Sequence, residues 1–300
     1  MAVIVVPYLD AVAARLVQPS DDVDFTRPRG EAALAAPDSV SWRVFKNPVA
    51  VFAGGVAAVI LELADPAVRS GVWQHSSFRS NPVHRLRRTG LAAMVTVYGA
   101  RPLAERMIAE VVAMHARVQG RTPTGEAYHA SDPALLDWVH GTAAFGFVEA
   151  YGRLVCRLSD AERDRYWREG LPAARLYGAS DALGSHAAFE RLLEGKRARL
   201  EASPIVFEFL KILRAAPVFP APLRPLQRLL IRAAVELVPD WVRKRLGLGE
   251  ACGLRPWQRP VVKALGRLAD CTMLRSSPAV QACRRLGLSD DYLYRSRGRT

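Results

Sequence analysis

Five of the six histidines, His75, His84, His115, His129 and His140, fall between Gly71 and Tyr151, about a quarter of the 300 residues. A neutral imidazole can bind a metal or take a proton near physiological pH, so this stretch is where chemistry is sought first. Met107, Val111 and His115 stand at helical i, i+4 and i+8 spacing, which puts His115 on an apolar stripe. His140 follows Leu136 by four residues and leads toward Ala144 and Phe147, so it too lies on an apolar face. A buried imidazole stays neutral, because burying its charge is costly, and its unprotonated nitrogen is then free for a metal. A core histidine bonded to a carbonyl satisfies the same constraints, and the residues alone do not separate His115 from His140. His75, His84 and His129 fall at turns or helix starts and read as solvent-exposed, and His186 as structural or exposed.

Arg85, Arg88 and Thr89 stand at i, i+3 and i+4 and share a helical face. Two guanidiniums on one face repel unless an anion neutralises them, and the arginine fork suits carboxylate or phosphate. A solvated basic face is the plainer reading. The apolar neighbours Leu86, Leu91 and Met94 favour a pocket instead. A facial triad of His115, His140 and Glu110 or Glu149 is a weaker alternative. There is no GxSxG elbow, no Walker loop and no strand-borne GxGxxG, and no HxxxH or HExxH metal spacing.

The elements that position these residues read as helices almost throughout. An amphipathic start over 11–17 leads to a Pro/Asp/Gly-rich connector over 20–37. The uncharged run Asn47 to Leu61 falls short of the roughly 20 apolar residues of a membrane span. It reads as a buried core helix with a close-approach point at Gly54–Gly55, and Asp65–Pro66 marks its boundary. Asn81–Pro82 and Asp132–Pro133 look like N-caps followed by proline at the first helical position. They open helices running to Tyr98 and to Leu158. Between them, a helix over 103–118 and a loop over 119–131 are expected. Ser159 and Glu162 fit a capping box. Later helices are expected over 187–202, 205–215, 223–238, 241–248 and 257–274. No segment alternates with period two between hairpin turns, and no repeat of 20–50 residues appears. The fold class is all-α, as one multi-helix bundle.

Three blocks, ADPAVRSGVWQHSSFRSNPVHRLRRTG, MHARVQG and GEAYHASDPALLDWVHGT, occur in an order and spacing that resemble the latex-clearing-protein (rubber oxygenase) and MpaB-type oxygenase catalytic-domain family. The likeness runs from about Trp42 to about Leu288, with LSDAERDRYWREG and ELVPDWVRKRLGL as less distinctive parts. It implies a globin-like core and a non-covalent haem b, in accord with the absence of CxxCH. It also implies His115 as the proximal iron ligand and Arg85 with Thr89 as an Arg-x-x-x-Thr pair lining the haem pocket. His140 is the other candidate contact to the cofactor, and Arg88 with Thr89 could polarise bound oxygen. The expected organisation is a connector over 1–40, a haem-binding oxygenase-like domain over 41–290 and a basic tail over 291–300.

The chain also departs from the family pattern. The rubber-cleaving branch tends to carry lysine where Arg88 stands, and family members often carry histidine where Asp65 precedes its proline. No catalytic carboxylate is assigned by motif. The expected activity is oxygenation of a hydrophobic substrate with O₂, an alkene-bearing lipid or terpenoid by family analogy. The alternative is a haem-binding or sensing protein without turnover.

Composition bounds the partners. Lys and Arg outnumber Asp and Glu by 42 to 29, a formal net charge of +13. The arginines are dispersed and lack interleaved aromatics, so no specific nucleic acid is expected, only a weak peripheral contact with polyanionic surfaces such as membranes. The four cysteines form no CxxC pair and make neither a zinc motif nor a disulfide framework. With no basic leader at the N-terminus, the expected location is the cytoplasm.

Overall fold

Prolines and their caps divide the chain into helices. The computed structural model describes residues 4–5, 23–180 and 183–295, so the helix expected over 11–17 lies outside the described residues. Helix α1 (Val40–Phe45) precedes α2 (Pro48–Glu62) and α3 (Pro66–His75). Asn47 caps α2 through Val49 N and Ala50 N, and Asp65 caps α3 through Ala67 N and Val68 N. The apolar run therefore breaks at Asp65–Pro66 as expected, and the chain turns by 112° there. Among the described residues no single helix is long and apolar enough to cross a membrane.

Helix α4 (Pro82–Tyr98) is capped by Asn81 and α5 (Arg101–His115) follows at once. Helix α6 (Pro133–Leu154) is capped by Asp132, and α7 (Asp160–Tyr177) opens with the expected Ser159–Glu162 capping box. Then come α8 (His186–Gly195), α9 (Pro204–Ala215), α10 (Arg224–Leu237), α11 (Asp240–Arg245), α12 (Gln258–Cys271) and α13 (Pro278–Arg285). The structure is an all-α, single-domain fold.

The strands are short. Ile4–Val5 (β1) pairs in parallel with Thr272–Met273 (β4), and Gln119–Arg121 (β2) pairs antiparallel with Ala127–His129 (β3). The segment over 119–131 is thus a hairpin, not the expected loop. Gly125, at a φ of +87°, allows the turn. Tyr128 is its buried anchor, its hydroxyl donating to Gln74 Oε1 at 3.0 Å. Several helix ends also fall short of expectation. α6 stops at Leu154, α8 at Gly195 and α12 at Cys271, where the chain turns into β4.

The core forms around α2 and α6, which pack most extensively. Their backbones meet at Gly54 and Gly146; a Cβ on Gly54 would lie 2.7 Å from Gly146 O. α10 covers α2, and α12 lies across both α6 and α10. Trp138, Trp167 and Phe189 stack beside α6, joining α7 and α8. Trp42 meets Tyr98 edge-on at 5.0 Å while the Tyr98 hydroxyl donates to Trp42 O at 2.7 Å, which ties α1 to α4. Buried Arg285 donates to Glu31 O at 2.8 Å and Phe25 O at 2.9 Å, holding the N-terminal connector against α13.

Candidate functional site

Helix α4 buries only Val95, Val97 and Tyr98, all in its last turn, and α5 buries only Ala104 and Ile108. Upstream on α4, Leu86, Leu91 and Met94 remain half-buried, as do Met107, Val111 and Val112 on α5. Of these, Leu86, Leu91, Met94 and Met107 pack against the edge of the buried core and leave part of their apolar surface open. The two helices pack against each other, and their other main contacts are with α1, α7 and α13.

Within this region five polar residues influence one another. Arg85 Nη1 donates to Thr89 Oγ1 at 3.0 Å, and the same hydroxyl donates to the Arg85 carbonyl at 2.9 Å. The expected Arg-x-x-x-Thr pair is therefore a physical pair. Arg85 reaches solvent, yet enough protein surrounds it that burial lowers its pKa, opposed by the charge of Glu62 and helped by Arg88. Arg88 is exposed one turn along the same face.

Glu62, the last residue of α2, is the group that sequence motifs missed. Burial raises its carboxyl pKa from 4.5 to about 7, against the opposing pull of Arg85 and a hydrogen bond with Thr142. Thr142 is fully buried on α6, its hydroxyl also lying 3.0 Å from Trp138 O. Glu62 follows an apolar run and is flanked by Leu61 and Leu63, both fully buried. The one signal available was a lone carboxylate closing a helix that carries no other charge.

His115 ends α5, half-buried. Burial first, and the Arg85 charge second, depress its pKa, so the imidazole is neutral near pH 7. Its Nδ1 is buried and has no hydrogen-bond partner. A buried imidazole nitrogen normally finds a partner, and a bound metal or ligand would supply one. Arg85 with Thr89, Glu62 with Thr142, and His115 thus form one set of groups, drawn from α4, α2, α6 and α5, coupled through the Arg85 charge.

His140 is not part of that set. It stands two residues before Thr142, about 200° away around α6. Its Nε2 is also buried and unpartnered, and burial lowers its pKa against the charge of Asp137. Its ring faces Gly170 of α7, where an added Cβ would lie 3.5 Å from His140 Cε1. The facial triad does not form. Glu149 pairs with Arg153 and Arg163, Glu110 is exposed, and the described residues hold no group of three metal-ligating side chains. His75 and His84 are exposed as expected, but His129 is half-buried at the end of β3, where its Nδ1 accepts from Ser131 N at 3.2 Å, and His186 stacks on Phe145. Asp65, where relatives often carry histidine, is a fully buried cap paired with Lys196 at 2.8 Å and Arg199 at 3.2 Å.

The residues present fit a haem. They offer a neutral imidazole with an orphaned nitrogen, a cation for an anionic group, and apolar walls left partly bare. No curated protein and no solved structure matches the chain. A family model does, over residues 42–270: the catalytic domain described as ER-bound oxygenase mpaB/B'/rubber oxygenase. That range contains Glu62, Arg85, Arg88, Thr89, His115 and Thr142, and it covers most of the chain. The chain belongs to the mpaB/rubber oxygenase catalytic-domain family and carries an oxygenase domain.

Proposed function

We propose that this oxygenase domain holds a b-type haem in the cleft between α4 and α5, with His115 as its proximal ligand, and oxygenates a hydrophobic, alkene-bearing lipid or terpenoid with O₂. The observation that carries this reading is the buried, unpartnered Nδ1 of His115, beside half-buried apolar side chains and near enough to Arg85 for that charge to help depress its pKa. Haem iron, when bound, supplies the activation of O₂.

Every other role falls to this chain's side chains. His115 offers its neutral imidazole nitrogen without first losing a proton, because burial and Arg85 already disfavour the charged form. Arg85, held by Thr89, offsets negative charge on the propionates. Arg88 donates hydrogen bonds but cannot act as an iron ligand, since its guanidinium keeps its proton. Glu62 is the acid–base group. A carboxyl with a pKa of about 7 both releases and recovers a proton at neutral pH, the condition for general acid–base work. Half-buried Leu86, Met94, Met107 and Val111 favour an apolar substrate and exclude water from it.

Oxygen uptake by haem-loaded protein with a polyunsaturated isoprenoid tests the function. Uptake is expected with the native chain. It should fall roughly 10²–10⁴-fold in Glu62→Gln with the haem spectrum unchanged, the range for loss of a general acid–base group. Haem occupancy without any uptake would leave the non-catalytic, haem-sensing reading in place of the enzyme.

A further inference from the structure

The last turns of α6 and α10 and one side of α12 enclose a cavity of about 440 Å³. None of its lining residues belongs to α4 or α5, so it is separate from the His115 region. Five cations line it, Arg153, Arg157, Arg259, Lys263 and Arg267, against one carboxylate, Glu236. Arg153 and Arg157 come from the end of α6 and the segment after it. The other three stand at i, i+4 and i+8 on one face of α12.

Two of the five are engaged. Arg259 grips both oxygens of Glu236, Nη2 donating to Oε1 at 3.1 Å and Nε to Oε2 at 3.2 Å, and Leu254 N donates to the same carboxylate at 3.1 Å. Arg153 pairs with Glu149 at 2.8 Å, a carboxylate it shares with Arg163. It also donates to Glu236 O at 3.1 Å, in the last turn of α10. Its surplus charge there offsets the C-termini of α6 and α10, each worth about half a negative charge. Arg157, Lys263 and Arg267 are left with no acidic partner among the described residues.

Elsewhere arginines sit on acids: Arg69 on Glu201, Arg199 on Asp65 and Glu126, Arg284 on Asp290. Three cations in one recess without such partners repel one another, and like charges one helical turn apart, as at Lys263 and Arg267, destabilise their own helix. Leu154, Leu237 and Leu254, all buried, give the recess an apolar floor. A recess lined by one sign of charge over a low-dielectric floor concentrates its potential and draws in a counter-ion.

Charge and lining together specify that counter-ion. Phosphate oxygens match the arginine fork. A phosphate monoester carries up to about two negative charges and a diphosphate about three, which equals the uncompensated set. The volume lies in the range of small-molecule sites. Among the described residues no aromatic ring lines the cavity to stack on a nucleobase, whereas its floor is aliphatic. We infer that this cavity binds a soluble organic diphosphate with an aliphatic body, its phosphates held by Arg157, Lys263 and Arg267. The site stands apart from the haem reading and needs no cofactor.

The test is calorimetric titration of the full chain, in low salt without divalent cations, with dimethylallyl diphosphate, ADP, inorganic pyrophosphate and inorganic phosphate. Dimethylallyl diphosphate should bind at a single site at least as tightly as pyrophosphate, and phosphate at least about tenfold more weakly. Arg157→Gln/Lys263→Gln/Arg267→Gln should lower the diphosphate affinity at least about 100-fold, because each charge-assisted hydrogen bond lost is worth about tenfold or more. Lys211→Gln/Arg214→Gln/Arg224→Gln removes the same charge from exposed positions off the cavity and should change the affinity less than about threefold. All six positions are exposed, and a melting temperature no lower than the native one shows that the variants fold. Diphosphate should raise the melting temperature of the native chain and of the control variant, and leave that of the cavity variant unmoved.

Equal affinity in the cavity variant and the native chain overturns the inference. So does an equal loss in both variants, which would reduce the binding to overall charge. Phosphate bound as tightly as pyrophosphate, or pyrophosphate bound with the dimethylallyl ester excluded, would overturn it in favour of an inorganic ion only. ADP bound more tightly than the ester would put a nucleotide in place of the aliphatic body. Failure of both diphosphates to bind also overturns it, and retention on phosphatidylglycerol vesicles would then assign the cations to a lipid headgroup.

Discussion

The pairing of α2 with α6 and the pairing of α4 with α5 use similar apolar residues to opposite ends. In the first, glycines bring backbones together at Gly54 and Gly146, and α2 buries nine of its residues. In the second, helices of 17 and 15 residues bury only three and two. The α2–α6 pair is closed against water, while the α4–α5 pair leaves Leu86, Met94, Met107 and Val111 half-buried beside a linked set of ionisable groups. The difference teaches where each kind of energy resides. Stability rests in the closed pair, while the open one leaves apolar surface in contact with water.

Substitutions in the closed region should therefore cost most. Trp138→Ala removes a fully buried ring of α6 and its stacking on Phe189, and should destabilise by about 3–5 kcal/mol in denaturant unfolding. Gly146→Ala forces a Cβ against the Gly54 backbone and should cost about 1–3 kcal/mol through overpacking. If either were neutral, the closed half would not be where the fold is held.

The open region should respond instead to pH. Folded Glu62 keeps its proton up to about pH 7, whereas the unfolded chain releases it near 4.5. The native state binds more protons across that window, so this residue makes stability fall as pH rises from about 4.5 to 7. His115 acts in the other direction. Its depressed pKa means that the unfolded chain binds more protons below about 6.5, so its contribution is lost as pH falls. Thermal unfolding from pH 4.5 to 8 should show Glu62→Gln removing the loss on the alkaline side and His115→Gln the loss on the acid side. Profiles identical to the native chain would mean that the two groups are solvated rather than enclosed.

The smallest stability change is expected inside the cleft. Met107→Ala should cost about 1 kcal/mol or less without haem, because its side chain is already half-exposed. Haem dissociation should be faster in the same variant. A core-sized loss of stability would close the contrast between the two regions.

Much of this arrangement was legible in the sequence because it depends on local chemistry. Asn81, Asp132 and Ser159 declare their helix starts through side chains that accept from the next backbone amides, and each holds in the structure. Gly54 marked a close approach because no other residue leaves room for one. Arg85 and Thr89 met because four residues is one helical turn. Glu62 was not legible: its pKa arises from burial and from Arg85, 23 positions along the chain, so no local pattern carries it. The hairpin at β2–β3 escaped because three-residue strands are too short for period-two alternation to register. His115 and His140 looked equivalent, since both lie on apolar faces, and only the tertiary arrangement separates the one beside Arg85 from the one against Gly170.

The central claim is that His115 ligates a haem in the α4–α5 cleft. Its most direct test is the absorption spectrum, oxidised and reduced, of the native protein beside His115→Ala and His140→Ala, each expressed with haem supplied. A Soret band that persists in His140→Ala and collapses in His115→Ala is the expected result. A band lost with His140 and kept without His115, or no band in the native protein even after reconstitution, would contradict it.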